Sequence, residues 1–379
     1  MKFASLSETP FEAVNKSEET NVKSIDRIFD INTIFNVGVS NSVYTGDGTV
    51  YVLGVRGLSL KSDSILYAKY NLSINECKII EKGRRLPFGD QLGAVFTGED
   101  ILIFGGQVYE SSHDSNKIYR LDLESEKLKE LEVNLPENIT DENPHFSVRS
   151  VWAEDRAILF FEKGAYAFYP SNNTFKQYEL EYPEDFFSGL HDRSIVYAEG
   201  SVYFFNQDKI YCFDTEKRTL KELQTELPTN HPDAWRRSAV YTGEEIYIIG
   251  GGGFHHEIID EIIRFDPETK ETELMNTRLP VRLHGCNPVC DGEYIYILGG
   301  RKKTGVADSY KDGDDVSSND TFGVEMNVIW RYNYQDLPSN EDYPGIKYDY
   351  STEYTTYGSL FVSIIITTLI LIFKENKLK

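Results

Sequence analysis

Three arginines stand out because of their chemistry and their spacing. Arg149, Arg193 and Arg237 lie 44 residues apart, and each comes one position before a copy of the same short pattern. A guanidinium presents N–H donors in a fixed fork that matches a carboxylate or a phosphate. If the three positions are equivalent in a repeated fold, they surround one opening and predict a binding site for an anion. The alternative is that each arginine pairs with an acidic residue of a neighbouring repeat.

Four other residues of types that commonly bind ligands lie near copies of the same pattern. Arg282 and His284 precede its last copy, whereas His191 and Trp235 come shortly before Arg193 and Arg237. We therefore add these four residues to the candidate binding surface. An aromatic side chain such as Trp235 at an open rim would favour a peptide as the ligand.

Neither a metal nor a catalytic centre is specified by the sequence. The seven histidines are scattered over connecting segments, one or two in each, and the four cysteines are equally dispersed. Metal ligands must converge at about 2 Å, and no spacing here requires this. The run 250–253 contains four glycines, but no helix is predicted after it to cradle a phosphate. We predict no cofactor, no metal and no enzymatic activity.

The pattern that these residues precede is a repeat of thirteen residues. It consists of a small residue, a short apolar strand, a turn rich in glycine and acidic residues, and a second strand that is apolar at consecutive positions. Its six copies begin at Ser42, Gly93, Ser150, Ser194, Ser238 and Asn287. Consecutive apolar positions indicate a strand that is buried on both faces. A period of about 40 to 50 residues is typical of the blades of a β-propeller.

The third strands of three repeats carry an arginine on one register, at Arg120, Arg264 and Arg331. Together with the glycine pairs Gly105-Gly106, Gly250-Gly251 and Gly299-Gly300, these strands resemble the Kelch motif. The resemblance covers roughly residues 36 to 334. It implies an all-β fold, a six-bladed Kelch-type β-propeller. Three copies lack the glycine pair, and the tryptophan that the family has on its fourth strand is absent.

The resemblance also implies functions. Many Kelch propellers bind proteins, and those that bind acidic peptides use basic residues at the loop face around the channel mouth. We therefore predict a protein-interaction module with a protein partner, and the rim arginines make an acidic segment a candidate ligand. The alternative is an enzyme of the sialate mutarotase type, in which Arg149, Arg193 and Arg237 would hold the carboxylate of a carbohydrate.

A propeller must close into a ring, and this sets the predicted domain boundaries. We predict an N-terminal tail at 1–24 and a propeller at 25–336. Residues 25–35 would supply the outer strand of the sixth blade, and 345–350 are the alternative closing strand. An acidic, tyrosine-rich linker at 337–353 follows.

Charge excludes one class of partner. The formal net charge of −22 argues against nucleic acid, because binding to phosphates requires clustered cations.

The C-terminal region has the composition of a membrane span. Residues 354–373 carry no charge, are long enough to cross a bilayer as a helix, and are followed by a basic tail at 374–379. We predict a single-pass membrane protein. The absence of an N-terminal signal pattern favours a cytosolic propeller with a C-terminal anchor. The basic tail favours the opposite orientation, with the propeller extracellular or lumenal if a signal peptide precedes the given start.

Overall fold

The computed structural model describes residues 11–13, 41–55, 64–74, 76–83, 92–105, 116–136, 148–161, 164–183, 186, 194–232, 234–252, 258–279, 282–302, 324–325, 329–332 and 334. All of them belong to the first of two compact units, Met1–Leu337, and the second unit is Pro338–Lys379.

The described residues form six antiparallel sheets of four strands, which are the blades of a propeller. A short N-terminal strand, β1 (Phe11–Ala13), belongs to the sixth blade. Blades 1 to 3 contain β2 (Asn41–Tyr44), β3 (Thr49–Val55), β4 (Ser64–Asn71), β5 (Glu76–Gly83), β6 (Gly93–Phe96), β7 (Asp100–Phe104), β8 (Lys117–Asp122), β9 (Lys127–Asn134), β10 (Arg149–Ala153), β11 (Arg156–Phe161), β12 (Gly164–Tyr169) and β13 (Thr174–Tyr178).

Blades 4 to 6 follow the same order from the inside outwards. They contain β14 (Ser194–Ala198), β15 (Ser201–Asn206), β16 (Lys209–Asp214), β17 (Thr219–Glu226), β18 (Ser238–Tyr241), β19 (Ile246–Ile249), β20 (Ile262–Phe265), β21 (Thr272–Leu274), β22 (Asn287–Cys290), β23 (Ile295–Leu298) and β26 (Ile329–Tyr332), while β24 (Arg301–Lys302) and β25 (Val324–Glu325) form a separate ribbon. The prediction of a six-bladed all-β propeller is confirmed for these residues.

The apolar core lies between blades rather than within them. The described residues include six clusters of buried side chains, one at each interface between adjacent blades. At the interface of blades 3 and 4, for example, the rings of Phe160 and Phe204 meet edge to face at a centroid distance of 4.7 Å. Because each second strand packs against blades on both sides, its side chains are apolar at consecutive positions, as the sequence pattern indicated.

The first strands hold the ring together. Each of them contacts the first strands of the two adjacent blades, and β22 of blade 6 contacts β2 of blade 1. The apolar cluster between these two blades includes Val289 and Tyr296 on one side and Val50 and Val52 on the other. The ring is therefore closed by inner strands and by a shared core.

The strand that completes blade 6 differs from the prediction. Its outer position is occupied by Phe11–Ala13, which pairs antiparallel with Ile329–Tyr332. Residues 25–35 and 345–350, the two predicted closing strands, lie outside the described residues. The predicted tail at 1–24 therefore contains a strand, and three residues are too few to show the alternation by which a strand is recognised in a sequence.

The predicted membrane span falls on residues that the structure does not describe. Among the residues that the structure describes, no helix is long and apolar enough to cross a membrane. The segments 337–353, 354–373 and 374–379 lie outside that part of the chain.

Strand pairing corrects the alignment of the repeats. A buried valine at the centre of each first strand pairs with the second strand, and these residues are Val43, Val95, Val151, Val196, Val240 and Val289. Alignment on this valine makes Asn41, Gly93, Arg149, Ser194, Ser238 and Asn287 equivalent, and we call this the seam position. Arg149 thus corresponds to Ser194 and Ser238, and not to Arg193 and Arg237.

Candidate functional site

Arg237 is enclosed by the loops of blade 5. Its side chain is 1% exposed, and Nη2 lies 3.5 Å from Oε2 of Glu261. The same nitrogen donates to the hydroxyl of Thr229 at 2.6 Å and to the carbonyl of His231 at 3.3 Å. Nη1 donates to the carbonyl of Gly250 at 3.2 Å. Burial lowers the pKa of Arg237, and the charge of Glu261 opposes this shift.

Glu261 is the centre of this network. Its carboxylate accepts hydrogen bonds from the Thr229 hydroxyl at 2.5 Å and from the backbone and side-chain amides of Asn230 at 3.1 and 3.2 Å. Burial raises the pKa of Glu261, but the hydrogen bonds from Thr229 and Asn230 and the charge of Arg237 outweigh it, so the pKa lies below its usual value. The carboxylate therefore remains ionised and ties the loop before β18 to the start of β20.

This burial removes Arg237 from the candidate binding surface. Its guanidinium was predicted to lie at the channel mouth, whereas in the structure it pairs with Glu261 of the same blade. A paired and hydrogen-bonded cation that is buried stabilises the loop and is not available to a ligand. It also removes one of the three arginines that the mutarotase-type alternative requires.

Arg149 lies at the seam position of blade 3 and is half-buried. At this position in other blades, small side chains contact the next blade. Nδ2 of Asn41 donates to the carbonyl of Leu92 at 3.3 Å, and the hydroxyl of Ser238 donates to the carbonyl of Cys286 at 2.5 Å. The predicted symmetric triad of arginines is therefore not formed, because Arg149 and Arg237 occupy different positions in their blades. Arg193 and His191 lie outside the described residues.

The remaining candidates come together on the loop face of blades 5 and 6. Trp235 and Gly252 exchange two backbone hydrogen bonds, of 2.8 and 2.9 Å. Gly251 donates to the carbonyl of Leu283 at 2.8 Å, and Gly285 donates to the carbonyl of Arg236 at 3.1 Å. These bonds join the segment that contains Trp235 to the segment that contains Arg282 and His284.

Arg236, which the sequence analysis did not select, lies in this region. Its guanidinium carbon is 4.2 Å from the centroid of the Trp235 ring, in a cation–π arrangement. Its φ of 53° is in the left-handed region, which is uncommon for a residue other than glycine. The hydrogen bonds on both sides hold this conformation. No sequence pattern marks Arg236, because the stack depends on a backbone turn.

Arg282 is the most exposed of the cations that the structure describes in this region. Its side chain is 56% exposed, and Nε lies 3.9 Å from the carboxylate of Asp260. His284 follows two residues later and is half-buried. We call Trp235, Arg236, Arg282 and His284 the blade 5–6 loop surface. It combines a stacked aromatic ring with two cations, which suits an acidic and partly apolar ligand.

Two further residues of this network, Glu261 and Arg278, were not predicted from the sequence. Glu261 comes directly before β20, at the position that Lys117 and Lys209 occupy in blades 2 and 4, and this change of charge was a usable signal. Arg278 lies 3.9 Å from the Glu261 carboxylate. Among the described residues, no group of three or more His, Cys, Asp or Glu side chains is arranged to hold a metal ion.

On the opposite face, arginines of the third strands form ion pairs. Arg120 lies 3.6 Å from Asp100, and Arg264 lies 3.1 Å from Glu245, so each arginine pairs with an acid of the tight turn in its own blade. These pairs are partly exposed and contribute little to stability. They do, however, offset part of the negative charge around that face.

Comparison with known proteins supports the fold assignment. Residues 236–271, which contain most of blade 5, match the family model for the Kelch motif. The chain is 32% identical over 299 residues to a Kelch domain-containing protein of Archaeoglobus fulgidus, which covers 76% of this chain and 83% of the relative. It is 28% identical over 272 residues to a Kelch domain-containing protein of Pyrococcus furiosus, covering 70% and 80% of the two chains.

Proposed function

The chain belongs to the family of Kelch domain-containing proteins, and from this premise we propose that it is a protein-interaction module that binds its partner through the blade 5–6 loop surface. The observation that carries the proposal is the stack of Arg236 on Trp235, 4.2 Å apart, on the same loop face as the exposed Arg282. The backbone bonds of Trp235 to Gly252 hold the main chain that carries the ring before any ligand arrives, so the main chain loses little conformational entropy on binding.

The partner that fits this surface presents an acidic segment. The protein as a whole carries a net charge of −22, so distant parts of its surface repel such a ligand. Local attraction to such a ligand would come from Arg236 and Arg282 beside the indole ring, with Asp260 3.9 Å from Arg282. Arg and Trp are also the residues that dominate the binding energy of protein interfaces.

The experiment compares three forms of the full-length protein. Photo-crosslinking from position 282 in cells identifies the partner, and its dissociation constant is then measured against wild type, Arg236→Ala/Arg282→Ala and Lys129→Ala/Lys217→Ala. The last variant removes the same charge from exposed positions elsewhere. Hydrogen bonds to charged groups contribute about 1.5–3 kcal/mol each, so we expect the arginine variant to bind about a hundredfold more weakly or worse. Equal affinities of the two double variants would refute the proposed surface.

We further propose that residues 354–373 attach the protein to a membrane. The support is the sequence: twenty residues without a charge, followed by lysines at 374, 377 and 379. The expected result is that the full chain remains in the membrane pellet after alkaline carbonate extraction, whereas an Ile365→Lys/Leu369→Lys variant is released. Protease treatment of intact cells reports the side on which the propeller lies. Release of both forms by carbonate would contradict the membrane attachment.

A further inference from the structure

The outer strand of blade 6 is attached differently from every other outer strand. In blades 1 to 5 the outer strand follows the third strand through a connection of four to six residues. In blade 6 it is β1, three residues from the far N-terminal part of the chain, separated from β2 by residues 14–40. A connection of this length could span up to about 90 Å if fully extended, so its length alone does not restrict β1 to blade 6.

The ring does not depend on this strand. Blades 6 and 1 are joined by contact between β22 and β2 and by the apolar cluster of Val289, Tyr296, Val50 and Val52, which lie on β22 itself, on its neighbour β23 and on β3. Without β1, the propeller would still be closed. The N–H and C=O groups of Ile329–Tyr332 would then form an open sheet edge, which readily pairs with another extended chain.

We propose that the outer edge of β26 is a strand-docking site, and that Phe11–Ala13 is an exchangeable occupant that an extended segment of a partner protein displaces. The register indicates the chemistry of that segment. Glu12 is paired directly with Arg331, so the central position of the docked strand is acidic opposite a basic residue. Opposite charges on facing residues of an antiparallel pair favour the pairing.

Competition between the two occupants follows from their lengths. Because β1 belongs to the same chain, its local concentration exceeds that of a free partner segment, so β1 occupies the edge in the absence of a partner. Yet β1 pairs with only three residues, whereas β26 has four. A partner strand that pairs with all of Ile329–Tyr332 and extends beyond them forms more backbone hydrogen bonds. This site is independent of the blade 5–6 loop surface.

The test uses the full chain and a fluorescent peptide with the sequence of Glu8–Lys16 as the probe. Prolines in a Glu12→Pro/Ala13→Pro variant remove two backbone donors of β1, whichever of them faces β26. We expect the peptide to bind this variant at least tenfold more tightly than wild type, because the edge is vacant. A peptide with Lys in place of Glu12 should bind it more weakly, and Arg331→Glu should reverse that preference.

Two further measurements decide the outcome if the proline variant loses its cooperative unfolding transition. A photoreactive group at the Phe11 position of the peptide, used at high concentration with wild type, should crosslink to residues 329–332. Crosslinks elsewhere, or equal binding to wild type and variant, overturn the proposal. A Glu12→Cys/Arg331→Cys variant that oxidises to dimers rather than monomers would show that the occupant is a second copy of the chain, and this also overturns it.

Discussion

At the scale of single residues, Arg237 shows how surroundings decide what a side chain can do. The sequence analysis selected it as a surface cation, but Glu261 lies 3.5 Å from its guanidinium and both side chains are almost fully buried. The neighbouring Arg236 is not enclosed in this way, because its side chain stacks on Trp235 at the loop face. One position along the chain separates a structural arginine from a candidate binding residue.

We predict that Arg237→Ala destabilises the protein by about 3–5 kcal/mol, because it removes the buried guanidinium that pairs with the buried Glu261 carboxylate. Urea denaturation followed by circular dichroism measures this. Arg282→Ala is the matched control: its side chain is 56% exposed, so we expect a change within about 0.5 kcal/mol. If both variants lose the same stability, the buried pair does not hold the loop.

The same pair predicts a dependence on pH. The pKa of Glu261 is lower in the folded protein than in the unfolded chain, so its ionised form stabilises the fold above the unfolded pKa. This contribution is lost as the pH falls through the folded pKa. The difference in unfolding free energy between wild type and Glu261→Gln should therefore be largest above about pH 5 and should shrink in acid. A difference that is constant from pH 7 to pH 4 would contradict this.

At the scale of strands and loops, the glycine pair has a steric role. In blade 5, Gly250 has a φ of 61°, and a Cβ atom there would lie 2.2 Å from the carbonyl oxygen of Leu283. In blade 6, a Cβ on Gly300 would approach the Cβ of Cys286 to 3.2 Å. The loop before β22 thus packs between two glycine pairs. Blades 3 and 4 lack the pair, because their second and third strands are joined by only two residues.

We predict that Gly250→Ala costs at least about 2 kcal/mol more than Gly243→Ala. Both glycines have positive φ, so both substitutions strain the backbone, but a Cβ on Gly243 would meet nothing within 4 Å. The measurement is the unfolding free energy of each variant. Because Gly250 lies beside the blade 5–6 loop surface, its substitution should also weaken partner binding. Equal stabilities of the two variants would show that the loop moves aside without cost.

The strands were largely predictable, and the register was not. Consecutive apolar residues identified the second strand of every blade, because burial on both faces leaves that pattern. The gapless match aligned Ser150 with Ser194, but this alignment is wrong by one residue. In the structure Val151 and Val196 occupy equivalent positions in their blades, because each pairs with the corresponding residue of its own second strand. That shift alone made Arg149 look equivalent to Arg237. The alternating pleat of a strand makes such an error consequential, because one residue reverses the face.

At the scale of the whole molecule, the repeat period was sufficient to predict the propeller but not its closure. Six copies implied six blades, and an N-terminal strand was expected to complete the last one. The segment that does so, Phe11–Ala13, carries no signal in the sequence, because its pairing depends on an edge formed some 320 residues later. The blade 5–6 loop surface could not be predicted from the sequence either, because its geometry depends on the backbone hydrogen bonds that link two loops.

The last prediction concerns the stability of the propeller as one unit. Each apolar cluster is shared by two blades, and the first strands contact one another around the complete ring. No blade can therefore unfold without exposing two clusters, and a closed ring has no terminal blade at which fraying could begin. The compact unit Met1–Leu337 has its own core.

We expect a chain shortened to residues 1–336 to be soluble and to unfold in a single transition, with calorimetric and van't Hoff enthalpies that agree. Two separated transitions would show that a group of blades unfolds independently. Aggregation of the shortened chain, with the full chain soluble in the absence of lipid and detergent, would show that residues 354–373 belong to the core rather than to a membrane.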